Sequence, residues 1–218
     1  MQKVPSIIGC VFLISFILVF VQCEKEPNPT PDTKINAHVV LLHGLRRSSG
    51  SMEKMEESLL SHGYTVVNVD YSSTDHTIEY LASVTLNDIL EPLGEQLPSK
   101  IHFVTHSMGG IIVRYYLKHH KLKNLGRVVM ISPPNQGSEL VDLLKDQTVL
   151  ERIYGPAASQ LSLEEGSLVL SLGSVDFELG VIAGNKSFNP LYSAFLPGPD
   201  DGVVTVESMK IQGMKDFI

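Results

Sequence analysis

The 218-residue chain has no tryptophan and only two cysteines, Cys10 and Cys23, both in its first 23 residues. The rest of the chain therefore holds neither a disulfide framework nor a thiolate metal centre. Histidine is unevenly placed: there are eight, and the last is His120. His119 and His120 are adjacent on a predicted helix, so they point about 100° apart and read as a solvated helix end. No Cys/His cluster has metal-ligand spacing, and nothing calls for a cofactor. Positive charge is also in short supply, with 17 Lys and Arg against 24 Asp and Glu, a formal net charge of −7. The basic residues are scattered, which excludes the basic footprint of a nucleic-acid binder. What the chain does have is length and a 43% hydrophobic composition, enough for one sizeable core and one domain.

The one long apolar run lies at the N-terminus. Lys3 precedes Ile7–Val21, which is broken only by Gly9, Cys10 and Ser15, and the polar EKEPNPTPDTK follows. This order reads as a signal peptide or N-terminal anchor over 1–22 and a Pro-rich, extended linker over 23–35. The run is at the short end for spanning a bilayer. Cys23 stands where a lipid-modified cysteine would, although Gln22 occupies a position where lipoprotein signals have Gly or Ala. Each reading places residues 36–218 outside the cytoplasm, either secreted, periplasmic or at the cell surface. Membrane association would run through the N-terminal segment or a lipidated Cys23.

From Asn36 short apolar runs alternate with amphipathic ones. AHVVLLH (37–43) predicts a strand buried on both faces. GSMEKMEESLLSHG (50–63) has Met52, Met55, Leu59 and Leu60 at helical spacing, with Gly63 as a stop. YTVVNVDY (64–71) predicts a strand. TIEYLASVTLNDILEPLGEQL (77–97) predicts a helix bent at Pro92. KIHFVTH (100–106), MGGIIVRYYLKHH (108–120), GRVVMIS (126–132) and VDFELGVIAGN (175–185) follow as strand, helix, strand and strand. Such alternation predicts an α/β domain over 36–218, a mostly parallel sheet with helices on both faces.

The chemistry concentrates at FVTHSMGG (103–110). A serine hydroxyl is a poor nucleophile unless it is presented and deprotonated. A tight strand-to-helix turn of the G-x-S-x-G kind presents it, and the helix N-terminus behind it favours developing negative charge. Such a turn is crowded, so the residues two before and two after Ser107 must be small. Gly109 meets this, and Thr105 does so if its side chain points between neighbouring strands. The bland alternative is that Ser107 only caps a helix. HGL (43–45) weighs against that. It ends the first strand in a turn permitted by Gly44. Acyl transfer needs two backbone N–H donors for the tetrahedral oxyanion, and Leu45 and Met108 are placed to supply them. His43 belongs to the strand end and is expected to brace its loop. Strand alternation is expected to turn His106 away from Ser107.

VVLLHG, VTHSMGG, VVMISPPNQGS and PDDGVVTVES together resemble the α/β-hydrolase lipases and esterases, especially compact bacterial triacylglycerol lipases. The matching pieces span residues 37 to about 208. The resemblance implies a minimal α/β-hydrolase fold and cofactor-free hydrolysis of an acyl ester, a lipid-like substrate, through a Ser107 acyl-enzyme. It implies Asp201 as the triad acid, with Asp200 as the alternative. It also implies either a lid or a cap helix packed on the core within 135–172, where Leu140, Leu143, Leu144, Leu150 and Ile153 recur at helical spacing.

Chain order in this fold is Ser, Asp, His. No histidine follows Asp201, and KDFI reads as the opening of a further strand. The expectation is thus of a domain lacking its last strand, its last helix and its triad histidine, and inactive as it stands. Two other readings keep the fold and change the function. One is a pseudo-hydrolase acting as a binding protein, and the other an acyltransferase or thioesterase using the same serine.

Overall fold

The computed structural model describes residues 35–95, 99–144, 147–187 and 190–218. The signal or anchor segment, both cysteines and all of the linker but Ile35 lie outside the described residues. Ile35 already belongs to the fold, since its amide donates to the Gly63 carbonyl at 3.0 Å.

Strand β1 (Ala37–Leu42) is an interior strand, one in from the edge of the sheet. Its alternate residues serve two cores. Val39 and Leu41 pack with Met52, Met55 and Leu59 on one face. Val40 and Leu42 join Phe103, Ile111 and Ile112 on the other. A strand covered on both sides has no polar alternation to show, which is why AHVVLL reads as a continuous apolar run. A 3₁₀ turn (Ser49–Met52) leads into α1 (Glu53–Ser61). Gly63, at φ 86°, then reverses the chain into β2 (Thr65–Val69), the left-handed geometry that glycine supplies at helix ends.

The helix expected over 77–97 is α2 (Ile78–Tyr80), a π-helical stretch (Leu81–Leu86) and α3 (Asn87–Glu95). Its irregularity precedes Pro92, which lies inside α3. The wider turns put Leu81, Ala82 and Leu86 in the core. The remaining elements are β3 (Lys100–His106), α4 (Met108–His119), β4 (Leu125–Ile131), α5 (Glu139–Leu143), α6 (Gln147–Tyr154), α7 (Pro156–Ser159), α8 (Leu168–Ser171), β5 (Leu179–Ile182), α9 (Pro190–Ser193), α10 (Val206–Met209) and β6 (Asp216–Phe217). No helix among the described residues is long and apolar enough to cross a membrane.

All pairings among the six strands are parallel, in the order β2-β1-β3-β4-β5-β6. The order reverses beside β1. The connections leaving β1 and β3 therefore part to opposite faces and open a crevice at the C-terminal strand ends, the place where open parallel sheets bind ligands. At the other edge KDFI opens a further strand, as its sequence suggests. The strand expected to be missing is begun by Asp216–Phe217, which pairs with Gly180–Val181. Lys215 and Ile218 donate to Leu179 and Val181, and Ala183 donates back to Ile218. The β5 edge is thus engaged by KDFI, because four residues of extended chain suffice to satisfy its short ladder.

One buried cation links this frame to its loops. Arg114, in the middle of α4 and 3% exposed, donates to the Asn135 carbonyl at 2.9 Å and side-chain oxygen at 3.2 Å, and to the Gly173 carbonyl at 2.8 Å. Asn135 in turn donates to Met209 at 2.8 Å. Burial pulls the guanidinium pKa down to about 10, so it stays charged at neutral pH. Replacing it by Met leaves the buried carbonyl and side-chain oxygen of Asn135, and the carbonyl of the exposed Gly173, without this donor. Arg114→Met is expected to cost roughly 2–4 kcal/mol in chemical denaturation. A loss below about 0.5 kcal/mol, the range of ordinary surface substitutions, would show that these bonds do not hold the loops.

Candidate active site

Ser107 stands alone between β3 and α4 with φ 52° and ψ −125°. A non-glycine residue in this sparsely populated region costs about 1–3 kcal/mol and persists only where its surroundings dictate it. Those surroundings are specific. The Ser107 amide donates to Ile131 at the end of β4 at 2.9 Å. A Cβ on Gly109 would lie 2.8 Å from the carbonyl oxygens of both Leu42 and His43. A Cβ on Gly44 would lie 2.8 Å from His106 Nδ1 and 3.1 Å from Ser107 Cβ. The first turn of α4 is therefore pressed onto the end of β1, and only glycine fits at either point of contact. The hydroxyl of Ser107 makes no capping bond to α4, so the capping alternative fails.

Thr105 is fully buried, but its side chain points at the first turn of α4 rather than between strands. Its hydroxyl would be 3.2 Å from a Cβ on Gly110. The second glycine of SMGG thus makes the room that Thr105 needs. The Thr105 hydroxyl has no hydrogen-bond partner, which makes this a costly neighbour for an elbow.

Ser107 and His106 line one cavity of about 470 Å³ together with Leu45, Arg46 and Arg47. Its walls are apolar: Leu140, Val141, Leu144, Leu150, Leu161 and Val204 among them. Leu140, Leu144 and Leu150, expected on a lid or cap helix, all face it. The other two of that set, Leu143 and Ile153, are 42% and 52% exposed. The expected single helix is split into α5 and α6. His106 does not turn away from Ser107. Strand alternation stops at His106 because the positive-φ residue that follows breaks the strand, and both side chains reach the same cavity. Burial and the nearby Arg47 hold the His106 pKa below its ordinary value, against the raising effect of Asp201.

His43 braces its loop. It is fully buried and stacks on Tyr71 at 4.0 Å and 10°. The Tyr71 hydroxyl donates to the His43 carbonyl. Nε2 accepts from the Tyr71 amide at 3.4 Å, which leaves Nδ1–H to donate to the Gly44 carbonyl at 2.9 Å. That is a neutral ring, and burial depresses its pKa despite the exposed carboxylate of Asp70 at 4.0 Å.

The two carboxylates of PGPDDG separate clearly. Asp200 is 7% exposed and its Oδ1 accepts from Ser193 at 2.6 Å and Gly202 at 2.7 Å, so it is consumed in holding the loop. Asp201 Oδ1 accepts from the Val203 and Val204 amides, both at 2.9 Å. Its other oxygen lies 3.7 Å from the point a Gly184 Cβ would occupy, and Ser132 Oγ is 3.0 Å from that same point. Asp201 is therefore at the C-terminal ends of β4 and β5, the same sheet edge as Ser107, with Oδ1 fixed by two amides. It does not line the cavity itself, whereas Val203 and Val204 do. Sequence reasoning missed Gly184, Glu139 and the two arginines. Glu139 ties α5 to the acid loop by accepting from Thr205 and Ser208, both at 2.6 Å. Gly184 could have been found as the first glycine after β5.

The family model for the α/β hydrolase fold matches residues 37–169, and the chain belongs to that family. Among solved structures it is similar to the mature form of the lipase BlEst2 from Bacillus licheniformis. The TM-score there is 0.67 and the identity 22%, over 88% of this chain and 85% of that one. It is also similar to the phospholipase PlaB from Legionella pneumophila, with a TM-score of 0.62 and 20% identity over 80% of this chain and 45% of that one. A metagenomic carboxyl esterase aligns with a TM-score of 0.62 and 19% identity, over 89% of this chain and 66% of its own. At these identities the likeness is one of fold. No curated protein matches the sequence.

The depressed histidines set a pH dependence with a definite sign. Unfolded, His43 takes a proton near pH 6.5, whereas the folded protein accepts it only at lower pH. Stability from this group is full above about pH 6.5 and falls below it, by up to ~1.4 kcal/mol per pH unit per histidine. His102 and His106 are shifted the same way. Thermal melts between pH 7.5 and 5.5 should therefore show declining stability, with a shallower decline in His43→Gln. A flat profile for the parent chain would contradict the buried neutral histidines.

Proposed function

We propose that the protein is a serine carboxylic ester hydrolase of the lipase/esterase kind. The observation that carries this is an uncapped Ser107 hydroxyl, in a strained strand-to-helix turn, at the end of a 470 Å³ apolar cavity. The cavity is of a size that takes a small ligand. Ser107 attacks the ester carbonyl, and the acyl group lies against Leu140, Leu144 and Leu150. The tetrahedral oxygen gains its negative charge beside the amides of Leu45 and Met108. Both are suited to receive it, since Leu45 lies in the turn after His43-Gly44 and Met108 is the first residue of α4, where helix amides have no internal acceptor. Asp201, with Oδ1 fixed by two amides, is the carboxylate available to orient a base. The lipase, phospholipase and esterase names of the structural neighbours point to the same class of substrate.

The base has no resident candidate in the position this chemistry uses. No histidine follows Asp201, and both ring nitrogens of His43 are committed. The 218-residue chain is therefore expected to bind esters and turn them over poorly, retaining about 10³–10⁴ over water from binding and the oxyanion donors. Because the hydroxyl is presented, the pseudo-hydrolase reading is the weaker one.

A fluorophosphonate in excess should modify Ser107, identified by peptide mass spectrometry, and Ser107→Ala should abolish the adduct. Labelling at another residue would remove Ser107 from the mechanism. A turnover number near 10 s⁻¹, typical of enzymes, with loss of activity in His106→Gln, would instead make His106 the base. In any form that turns over, Asp201→Asn should lower kcat by a factor on the order of 10⁴, as loss of a triad acid does elsewhere. Asp200→Asn should act mainly on stability, and the reverse ranking would exchange their roles.

A further inference from the structure

The cavity is apolar except at its mouth, where Arg46 and Arg47 are its only formally charged lining residues among those described. Their placement is built into the turn. The Arg47 amide donates to the Gly44 carbonyl at 3.2 Å. The Arg46 amide donates to the buried hydroxyl of Ser73 at 2.9 Å. Arg46 itself has φ 55°, the left-handed geometry that sends its side chain over the ring of Tyr154, 5.1 Å from the centroid. Tyr154 lines the same cavity.

Neither guanidinium has a carboxylate within ion-pair distance among the described residues; the Lys and Arg ion pairs there are Arg127–Glu178 and Lys210–Glu207. Most described lysines and arginines also lack an acid partner; what sets Arg46 and Arg47 apart is that they are adjacent and line the cavity. Asp201, in the loop beside the cavity, is engaged by two backbone amides.

We infer that Arg46 and Arg47 form a binding site for a negatively charged group, phosphate by preference, carried on the alcohol portion of an acyl ester whose chain fills the apolar cavity. This rests on the cavity being the acyl site proposed above and adds the chemical class of the headgroup. Guanidinium groups suit the role, since they are always charged and pair bidentately with phosphate or carboxylate oxygens. The apolar walls and the two cations are the two halves of an anionic amphiphile. Tyr154 holds the Arg46 stem in place, so less freedom is lost on binding than for a lone surface arginine.

The test is a binding measurement, which does not depend on turnover. The full chain is titrated calorimetrically with n-octyl phosphate, 1-octanol and inorganic phosphate at about 50 mM salt, low enough that mouth charges are not fully screened. n-Octyl phosphate is expected to bind about tenfold or more tightly than 1-octanol, the factor that one charge-assisted hydrogen bond supplies. Inorganic phosphate should bind far more weakly than either. Arg46→Gln/Arg47→Gln should abolish the preference for octyl phosphate and leave 1-octanol unaffected. Equal affinity for the two amphiphiles, or a preference that survives the double substitution, would overturn the headgroup site and leave the acyl cavity standing. Inorganic phosphate binding as tightly as octyl phosphate would also overturn it, in favour of a free-phosphate site. Binding of neither amphiphile would overturn the acyl cavity, and the headgroup site with it.

Discussion

The contact on which the site depends is the approach of Gly109 to the carbonyl oxygens of Leu42 and His43. Two backbone oxygens cannot yield to a side chain, so only glycine lets α4 begin there. Once α4 is seated on the end of β1, the chain between β3 and α4 must close in a single residue. That residue takes φ 52°, and Ser107 is forced out of both elements. The same approach brings the turn after β1 against Ser107 Cβ, which is why Gly44 is also held to glycine. The Ser107 turn and the turn after β1 are thus consequences of one packing constraint at the switch point of the sheet.

The acid loop is tied to this centre at second hand. Arg114 comes from the nucleophile helix itself and grips Asn135, which grips Met209. Glu139 grips Thr205 and Ser208, and Ser138 donates to the Val203 carbonyl at 2.9 Å. Asp201 lies in the segment these bonds surround. The loop after β4 therefore links the segment that carries Asp201 to α4. Because Glu139 also opens α5, the roof of the cavity and the acid loop share one anchor. A movement of α5 would be felt at Asp201.

What could be read from the sequence follows this physics. The strands around Ser107 were legible because burial on both faces leaves uninterrupted apolar runs, and β1, β3 and β4 fall within a residue of expectation. Gly44 and Gly109 were legible because a crowded turn demands them. Gly110 was legible as added room, but not that Thr105 takes up that room, which shows only when α4 and β3 are seen together. His106 was misplaced because alternation was carried one residue too far, up to a turn that ends it. β5 was read too long, since its pairing needs only Leu179–Ile182, whereas KDFI was read as the opening of a further strand and pairs with β5 as one. Arg46 and Arg47 carried no signal at all. Two arginines after a turn look like any solvated pair until Tyr154, more than a hundred positions on, is found beneath one of them.

That pair also bears on how binding energy would be divided. The oxyanion donors act on an oxygen that becomes negative only during reaction, so they favour the transition state over the bound ester. Arg46 and Arg47 face the mouth, where a charged headgroup has the same charge before and during attack. Interactions of that kind stabilise ground and transition states alike. They lower KM and leave kcat nearly unchanged. On the proposed reading, the strained serine and the apolar walls would set what chemistry the cavity performs, and the two arginines which molecule is held there long enough to undergo it.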